Sequence, residues 1–234
     1  MRLRRTLATF AALMSAAPVA SSCGGRTGLL VPHGKAPACA ASPQAPKTCD
    51  SGATTLGGTV YDPAGKNPLY NVVVYVPGST PAPLPAGATC DSCSDLYTGS
   101  PVTTALTDAA GHFVLGNVPP GSDVPLVLQI GKWRRQLQVP TVVACRDNVL
   151  PDRSLTLPSN QAQGDIPAIA VSTGGSDTME CLFRRMGVDA SEYTADPEGT
   201  GRIHIFQGSG KLNGPDAPNT SISAPNSASA LWDS

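Results

Sequence analysis

Short apolar runs separated by turn residues fill the middle of the chain, from Thr54 to Leu157. Such runs, about four to eight residues long, are typical of strands in a sandwich. Asp62-Pro63-Ala64-Gly65 and Asp108-Ala109-Ala110-Gly111 are turn sequences, because Asp can bond its own backbone and Gly tolerates positive φ. The pattern predicts an all-β sandwich over 54–157. Its seven predicted strands are Thr55–Tyr61, Asn71–Val76, Val102–Thr107, His112–Leu115, Val124–Ile130, Arg134–Val139 and Ser154–Leu157.

The pattern changes after Pro158. Ile166–Ser172 is almost continuously apolar, as in a strand covered on both faces. A helix is predicted next, with Asp177 as N-cap, Gly187 as its stop and Cys181 on the outward side. Its inward face is predicted to carry Met179, Leu182, Phe183 and Met186. With a second strand at Arg202–Phe206, residues 158–206 form a predicted partial β-α-β unit, which either packs on the sandwich or belongs to a longer protein.

Two sequence blocks resemble carboxypeptidase regulatory-like domains. The first runs Leu56-Gly-Gly-Thr-Val-Tyr-Asp-Pro-Ala-Gly-Lys-Asn-Pro-Leu69, followed by Val72–Val76, and the second runs Thr107–Leu115, followed by Asn117–Gly121. The resemblance covers 54–157 and implies a seven-stranded, transthyretin-like sandwich with a carbohydrate-binding-like fold. It implies an accessory module and no catalytic residue. The whole chain also resembles lipoproteins of predatory soil deltaproteobacteria.

The N-terminus has the features of an export signal. A basic start, Met1–Arg5, precedes an apolar stretch from Leu7 to Ala20, which is shorter than the roughly 20 residues of a transmembrane helix. Ala20-Ser21-Ser22-Cys23 resembles a bacterial lipobox, which implies cleavage after residue 22 and lipidation of Cys23. The alternative is ordinary secretion with cleavage at the same place. Residues 23–53, rich in Gly, Ala, Pro and Ser, are predicted to be the lipidated cysteine and a flexible tether.

Cysteine usage agrees with export. Seven cysteines are many for a reducing cytosol, and the number is odd. If Cys23 carries lipid, an even set remains to form disulfides: Cys39, Cys49, Cys90, Cys93, Cys145 and Cys181. Short loops favour Cys39–Cys49 and Cys90–Cys93, which would leave Cys145 to pair with Cys181. The spacing alone leaves other pairings open.

Charge and composition exclude one class of partner. The chain of 234 residues has a formal net charge of −1, so it has no basic excess with which to bind nucleic acid. Residues that suit turns and loops are abundant, with 24 Gly and 23 Pro, yet 41% hydrophobic residues allow a core. Residues 207–234 are predicted to be a loop-like tail, which is truncated if the chain belongs to a longer protein.

Few residues suggest site chemistry. Trp133 and Arg135 are candidate ligand contacts in a basic, aromatic hairpin, although Trp133 also suits a core face. Gly174 and Gly175 precede the predicted helix, where an anion could approach the backbone, or they form a structural turn. His33, His112 and His204 are scattered, and Cys90-x-x-Cys93 alone could supply a redox pair or half of a zinc ligand set, although a structural disulfide suits it better, so no catalytic residue, metal or cofactor is predicted.

These features together predict an exported cell-envelope lipoprotein of the outer membrane or periplasm, with a secreted protein as the alternative. Its mainly β body would be an accessory module for binding or structural use. The expected partners are the membrane, through a lipid anchor, and a glycan or an envelope protein. The alternative function is the N-terminal part of a longer envelope enzyme, whose hydrolase or amidotransferase-like α/β domain is incomplete here.

Overall fold

The computed structural model describes residues 49, 52–87, 97–173, 179–195 and 199–206. These residues form a mainly β protein with one short α-helix in the described part. They all lie within one compact unit. The strands are β1 Thr55–Tyr61, β2 Val73–Pro77, β3 Pro101–Leu106, β4 His112–Leu115, β5 Gly121–Ile130, β6 Trp133–Val142, β7 Asp147–Val149, β8 Leu155–Thr156, β9 Ile169–Ser172, β10 Tyr193–Thr194 and β11 Ile203–Phe206.

Two four-stranded sheets form the sandwich. One has the order β4-β1-β7, with β8 pairing β1 beyond β7, and the other has the order β3-β2-β5-β6. β1 runs antiparallel to β4 and parallel to β7 and β8, whereas all pairs of the second sheet are antiparallel. The sheets bury alternate side chains in one core, including the fully buried Leu56, Leu115, Val74, Leu126 and Leu128.

The strand prediction is close but incomplete. The seven strands predicted for 54–157 are found with shifts of a few residues, and β7 was missed. Asp147-Asn148-Val149 has no apolar alternation that would indicate a strand. The Asn148 side chain holds the segment instead, because its amide donates to the carbonyls of Thr55, Val143 and Arg146. Polar side-chain bonding therefore makes a strand that hydrophobic patterning does not reveal.

The two blocks quoted in the sequence meet at one corner of the sandwich. Val60 N–H donates to the carbonyl of Gly111 at 3.0 Å, and Val60 in turn accepts from Leu69 N–H at 2.9 Å. The Thr107 hydroxyl donates to the carbonyl of Leu69 at 2.6 Å and accepts from Val72 N–H at 2.9 Å. The two blocks are therefore joined by hydrogen bonds and together form one corner of the sandwich.

The C-terminal segment forms a third, parallel sheet in the order β10-β11-β9. The α-helix α1, Met179–Arg185, and a 3-10 turn, Ala190–Glu192, lie between β9 and β10 in sequence. Three strands are present where two were predicted. Ile203 and Ile205 are fully buried and belong to the same apolar cluster as the sandwich residues. The described parts of 54–157 and 158–206 thus share one core.

The prediction for the helix faces was wrong in part. Cys181 is buried at 8% exposure, while Met179 and Leu182 are 47% and 44% exposed. Phe183 and Met186 do pack against the core, as predicted. Contact at the end of the helix orients it, because Met186 accepts a hydrogen bond from Ala64 N–H at 2.8 Å. The spacing of apolar residues along the helix does not reveal this hydrogen bond, which joins residues far apart in the sequence.

Two positions require glycine, one at the end of the helix and one in a turn, because the backbone there packs closely against neighbouring residues. Gly187 has φ +92°, and a Cβ there would overlap the Ala64 nitrogen. Gly111 has φ +77°, and a Cβ there would lie 2.8 Å from the Pro68 Cβ and 2.9 Å from the Val60 carbonyl oxygen. A side chain at either position requires both backbone strain and movement of a neighbour.

We expect Gly111→Ala to lower the free energy of unfolding by about 2 kcal/mol or more, because strain and steric overlap add. Gly116→Ala is the matched control, since an added Cβ there meets nothing within 4 Å. It should stay within about 0.5 kcal/mol of wild type. Urea unfolding followed by circular dichroism measures both, and equal effects of the two variants would contradict the packing described for this corner.

Candidate functional site

The second sheet buries part of its outer face as well as its inner face. Val73 and Tyr75 on β2 and Val127 on β5 point away from the main core, since they alternate with Val74, Leu126 and Leu128. They form a second apolar cluster, against which Tyr97 packs. We call this group, Val73, Tyr75, Val127 and Tyr97, the outer cluster. The unbroken apolar run Val72–Val76 was the available sequence signal for a strand covered on both faces.

Two tyrosine rings define the outer cluster. The ring centroids of Tyr75 and Tyr97 are 5.8 Å apart, with an angle of 85° between the ring planes. This edge-to-face geometry is the favoured one for aromatic pairs, because the positive ring edge meets the negative face. Tyr75 is fully buried, whereas Tyr97 is half-buried. Tyr97 therefore forms the accessible side of the pair.

Buried polar atoms accompany these rings. The Tyr75 hydroxyl, the Thr98 hydroxyl and the Gln129 carbonyl oxygen are buried, with no hydrogen-bond partner among the described residues. Gln129 donates its amide to the carbonyl of Gly131 at 3.1 Å, so its oxygen remains available. Buried hydroxyl and amide groups usually find a partner or an ordered water. Tyr75 and Gln129 lie on the same face of the second sheet, so its covered outer side holds an unpaired hydroxyl and an unpaired carbonyl oxygen among the described residues.

Basic residues hold the loop after β2 against the β5–β6 hairpin. Arg134 is 3% exposed, and its Nε donates to the Asp165 carboxylate at 2.9 Å. Its guanidinium also donates to the carbonyl of Ala82 at 2.7 Å. Lys132 donates to the carbonyls of Pro85, at 2.9 Å, and Gly87. These charge-assisted bonds position the first half of the loop beside the outer cluster.

The two candidate ligand contacts on the hairpin have structural partners. Trp133 is 8% exposed, lies in the main core and donates its indole N–H to the carbonyl of Pro158 at 2.9 Å. Arg135 is half-buried and donates to the carbonyl and hydroxyl of Thr156, the carbonyl at 3.0 Å. Burial lowers the pKa of the Arg135 guanidinium. Gly174 and Gly175, the other two candidates, lie outside the described residues.

The cysteines pair differently from the favoured expectation. Cys49 and Cys145 form a disulfide across 96 positions of sequence. The predicted pairs Cys39–Cys49 and Cys145–Cys181 are therefore wrong, because folding brings the residue before β1 next to the loop after β6 and short sequence separation does not decide the pairing. Cys145 has φ +56°, and its N–H donates to the Thr54 hydroxyl at 2.8 Å. Cys23, Cys39, Cys90 and Cys93 lie outside the described residues.

Local contacts shift the pKa of several side chains. The backbone N–H groups of His112 and Ala110 lower the pKa of Asp108, which supports its role in a turn. Burial raises the pKa of the Tyr193 hydroxyl above its ordinary range, with the Cys181 thiol adding to the effect.

In the described part of the chain, no group of three or more His, Cys, Asp or Glu residues is arranged to hold a metal ion. No helix within these same residues has the length and apolar character needed to cross a membrane.

Comparison with known proteins identifies no family. No family model matches the chain, and no curated protein matches it. Among solved structures, a C-terminal interface mutant of a type II cohesin–X–dockerin complex from Acetivibrio cellulolyticus has 16% identity and a TM-score of 0.31, covering 53% of this chain and 78% of that one. An N-terminal interface mutant of the same complex has 16% identity and a TM-score of 0.32, with coverages of 58% and 85%. Scores of this size mark only a partial resemblance between folds.

We expect Asp165→Ala to destabilise the protein by about 1–2 kcal/mol, because it leaves the buried Arg134 charge without its carboxylate. The expected loss of stability is small for a buried charge, because the Asp165 side chain is 44% exposed and solvent weakens the ion pair. Asp152→Ala is the matched control, because the contacts of Asp152, an ion pair with Arg153 and a hydrogen bond of 2.7 Å from the Tyr61 hydroxyl, are both solvent-exposed and should matter by no more than about 0.5 kcal/mol. Urea midpoints that move equally in both variants would contradict the structural role of the Arg134 pair.

Proposed function

We propose that this protein is a cell-envelope lipoprotein whose β-sandwich serves as an accessory module for binding or structural use, in contact with a glycan or an envelope protein. The observation that carries the proposal is the Cys49–Cys145 disulfide. Disulfides persist in oxidising compartments and are rare in the cytosol. The bond therefore supports export, which the basic and apolar N-terminus also indicates.

The position of the disulfide suits an anchored module. Cys49 lies near the end of the predicted tether, a few residues before β1. Cys145 lies after β6, and Thr55 N–H donates to the carbonyl of the next residue, Arg146, at 3.0 Å. A covalent bond here ties the point where the tether enters the body to a second part of the sandwich. Pulling or fraying at the tether would then have to displace both segments together.

We further infer that the sandwich is a carboxypeptidase regulatory-like module. The contact between its two sequence blocks supports this assignment, since Gly111 and Thr107 of the second block bond Val60 and Leu69 of the first. The residues that carry the resemblance are thus also the residues that form one structural corner. Membership implies an accessory role beside other domains or surfaces.

The outer cluster is our candidate contact surface for such a role. It combines a half-buried tyrosine ring with buried hydroxyl and amide oxygens on one sheet face. The half-buried Tyr97 ring is the accessible part of the cluster, and aromatic rings pack against the apolar faces of sugars and against protein side chains. A contact surface with one accessible ring predicts weak binding that becomes effective when many copies are anchored side by side.

Lipidation is tested by Cys23→Ser. Cells fed an alkyne fatty acid should label the wild-type protein, and the variant should lose that label, because Ser has no thiol to carry the lipid. Cys39→Ser is the matched control, as it removes another cysteine from the same predicted tether and should keep the label. Labelling of the Cys23 variant at full strength would refute the lipoprotein assignment.

Binding is tested with the mature protein on a glycan array and in pull-downs from solubilised envelopes. We expect weak retention of a glycan or of an envelope protein, and a loss of about fivefold or more for Tyr97→Ala, which removes the accessible ring. Tyr70→Ala is the control, because Tyr70 is 66% exposed and is not a member of the outer cluster. No retention in either assay, or equal losses in both variants, would count against the outer cluster as a contact surface.

A further inference from the structure

The two edges of the second sheet differ in how they are protected. β6 forms one edge, where Arg134 and Asp165 exchange two backbone hydrogen bonds of 3.0 and 2.8 Å. Pro140, further along β6, has no N–H to offer a new strand. Charged residues, prolines and covering segments are the usual means by which a protein prevents a sheet edge from pairing. The β6 edge therefore has such protection.

β3 forms the other edge and has no comparable protection within its strand. Its sequence is Pro-Val-Thr-Thr-Ala-Leu, so it contains no charged residue, and its proline is at the first position. In the described part of the chain β3 pairs only with β2. The side chains from Pro101 to Ala105 are half-buried, and Leu106 is 52% exposed. The strand thus retains accessible surface along its length.

The register identifies the backbone groups that face this edge. Thr107 N–H donates to the carbonyl of Val72 at 3.0 Å, so Thr107 faces β2. Because residues of an antiparallel strand alternate between facing the partner and facing away, Ala105 and Thr103 also face β2. Thr104 and Leu106 then direct their N–H and carbonyl groups outward. The same alternation explains why Arg134 bonds Asp165 at the opposite edge.

The absence of charge along β3 favours one occupant, a second copy of the same strand. When a strand pairs antiparallel with its own copy, each residue lies opposite or diagonal to members of the same short set. A charged residue would therefore meet its like and weaken the pair. Thr104, whose backbone groups face outward, lies near the centre of β3, so it can lie opposite its own copy at a two-fold axis, and threonine pairs across strands are favourable. We propose that two copies of this protein associate through β3, which joins their four-stranded sheets into one continuous sheet.

The experiment uses full-length protein with two different affinity tags, co-expressed and purified in mild detergent at low salt. Wild-type copies should co-purify. Thr104→Lys in both copies should reduce recovery of the second copy about tenfold, as should Thr104→Glu in both copies, because like charges meet at the two-fold axis. One copy with each substitution should restore recovery. Two control pairs, Thr104→Gln, which is neutral, and Gln138→Lys, on the β6 edge, should match wild type.

Restoration by opposite charges is the result that only direct β3 contact explains, since misfolded variants would not co-purify again when the Lys and Glu variants are co-expressed. Wild-type copies that fail to co-purify would overturn the proposal, as would co-purification that is insensitive to charge at residue 104. Recovery of a different envelope protein in place of the second copy would also overturn it and would make β3 a site for another strand. None of these results depends on the lipid at Cys23, so this test and the lipidation test fail independently.

Discussion

Pairing and burial of β1 constrain most of the sandwich. The strand bonds β4 along one edge and both β7 and β8 along the other. Its inward side chains, Leu56 and Val60, are fully buried. A shift of one residue would turn these side chains toward solvent and break three ladders at once. The register of β1 is therefore strongly determined, and the disulfide at its N-terminal approach adds a covalent constraint to the same strand.

Buried polar groups connect the C-terminal segment to this frame. Within the C-terminal segment, Glu192 is 3% exposed and accepts from the backbone and side chain of Gln161 at 2.7 and 2.8 Å, which ties the 3-10 turn to the start of the segment. Trp133 donates to Pro158, and Arg134 bonds Asp165, so the connection after the sandwich is tied to the β5–β6 hairpin. Each bond satisfies a group that would otherwise be costly to bury. The third sheet can thus complete its burial against the sandwich core.

The predictable parts of the fold are those with short-range signals. β1 and β4 were placed at their observed bounds, because apolar residues end at recognisable turns. β7 was missed, because the Asn148 side chain and not hydrophobicity holds it. The inward side of α1 was misjudged at Met179, Leu182 and Cys181, because its contact with Ala64 orients the helix. For the candidate surface, the run Val72–Val76 indicated burial on both faces, but the pairing of Tyr75 with Tyr97 crosses a long loop and leaves no local pattern.

Sequence by itself determined the mainly β character, the turns at Asp62 and Asp108, and the features that favour export, since these depend on local conformational preference and on composition. The tertiary structure alone decided which cysteines meet, which face of α1 is buried and, among the described strands, which edge of the second sheet has no further partner. These outcomes depend on contacts between residues far apart in the chain, such as the pair Cys49 and Cys145. Their physical reason is the same in each case: one shared core must be closed, and it sets the positions of segments whose own sequences permit several arrangements.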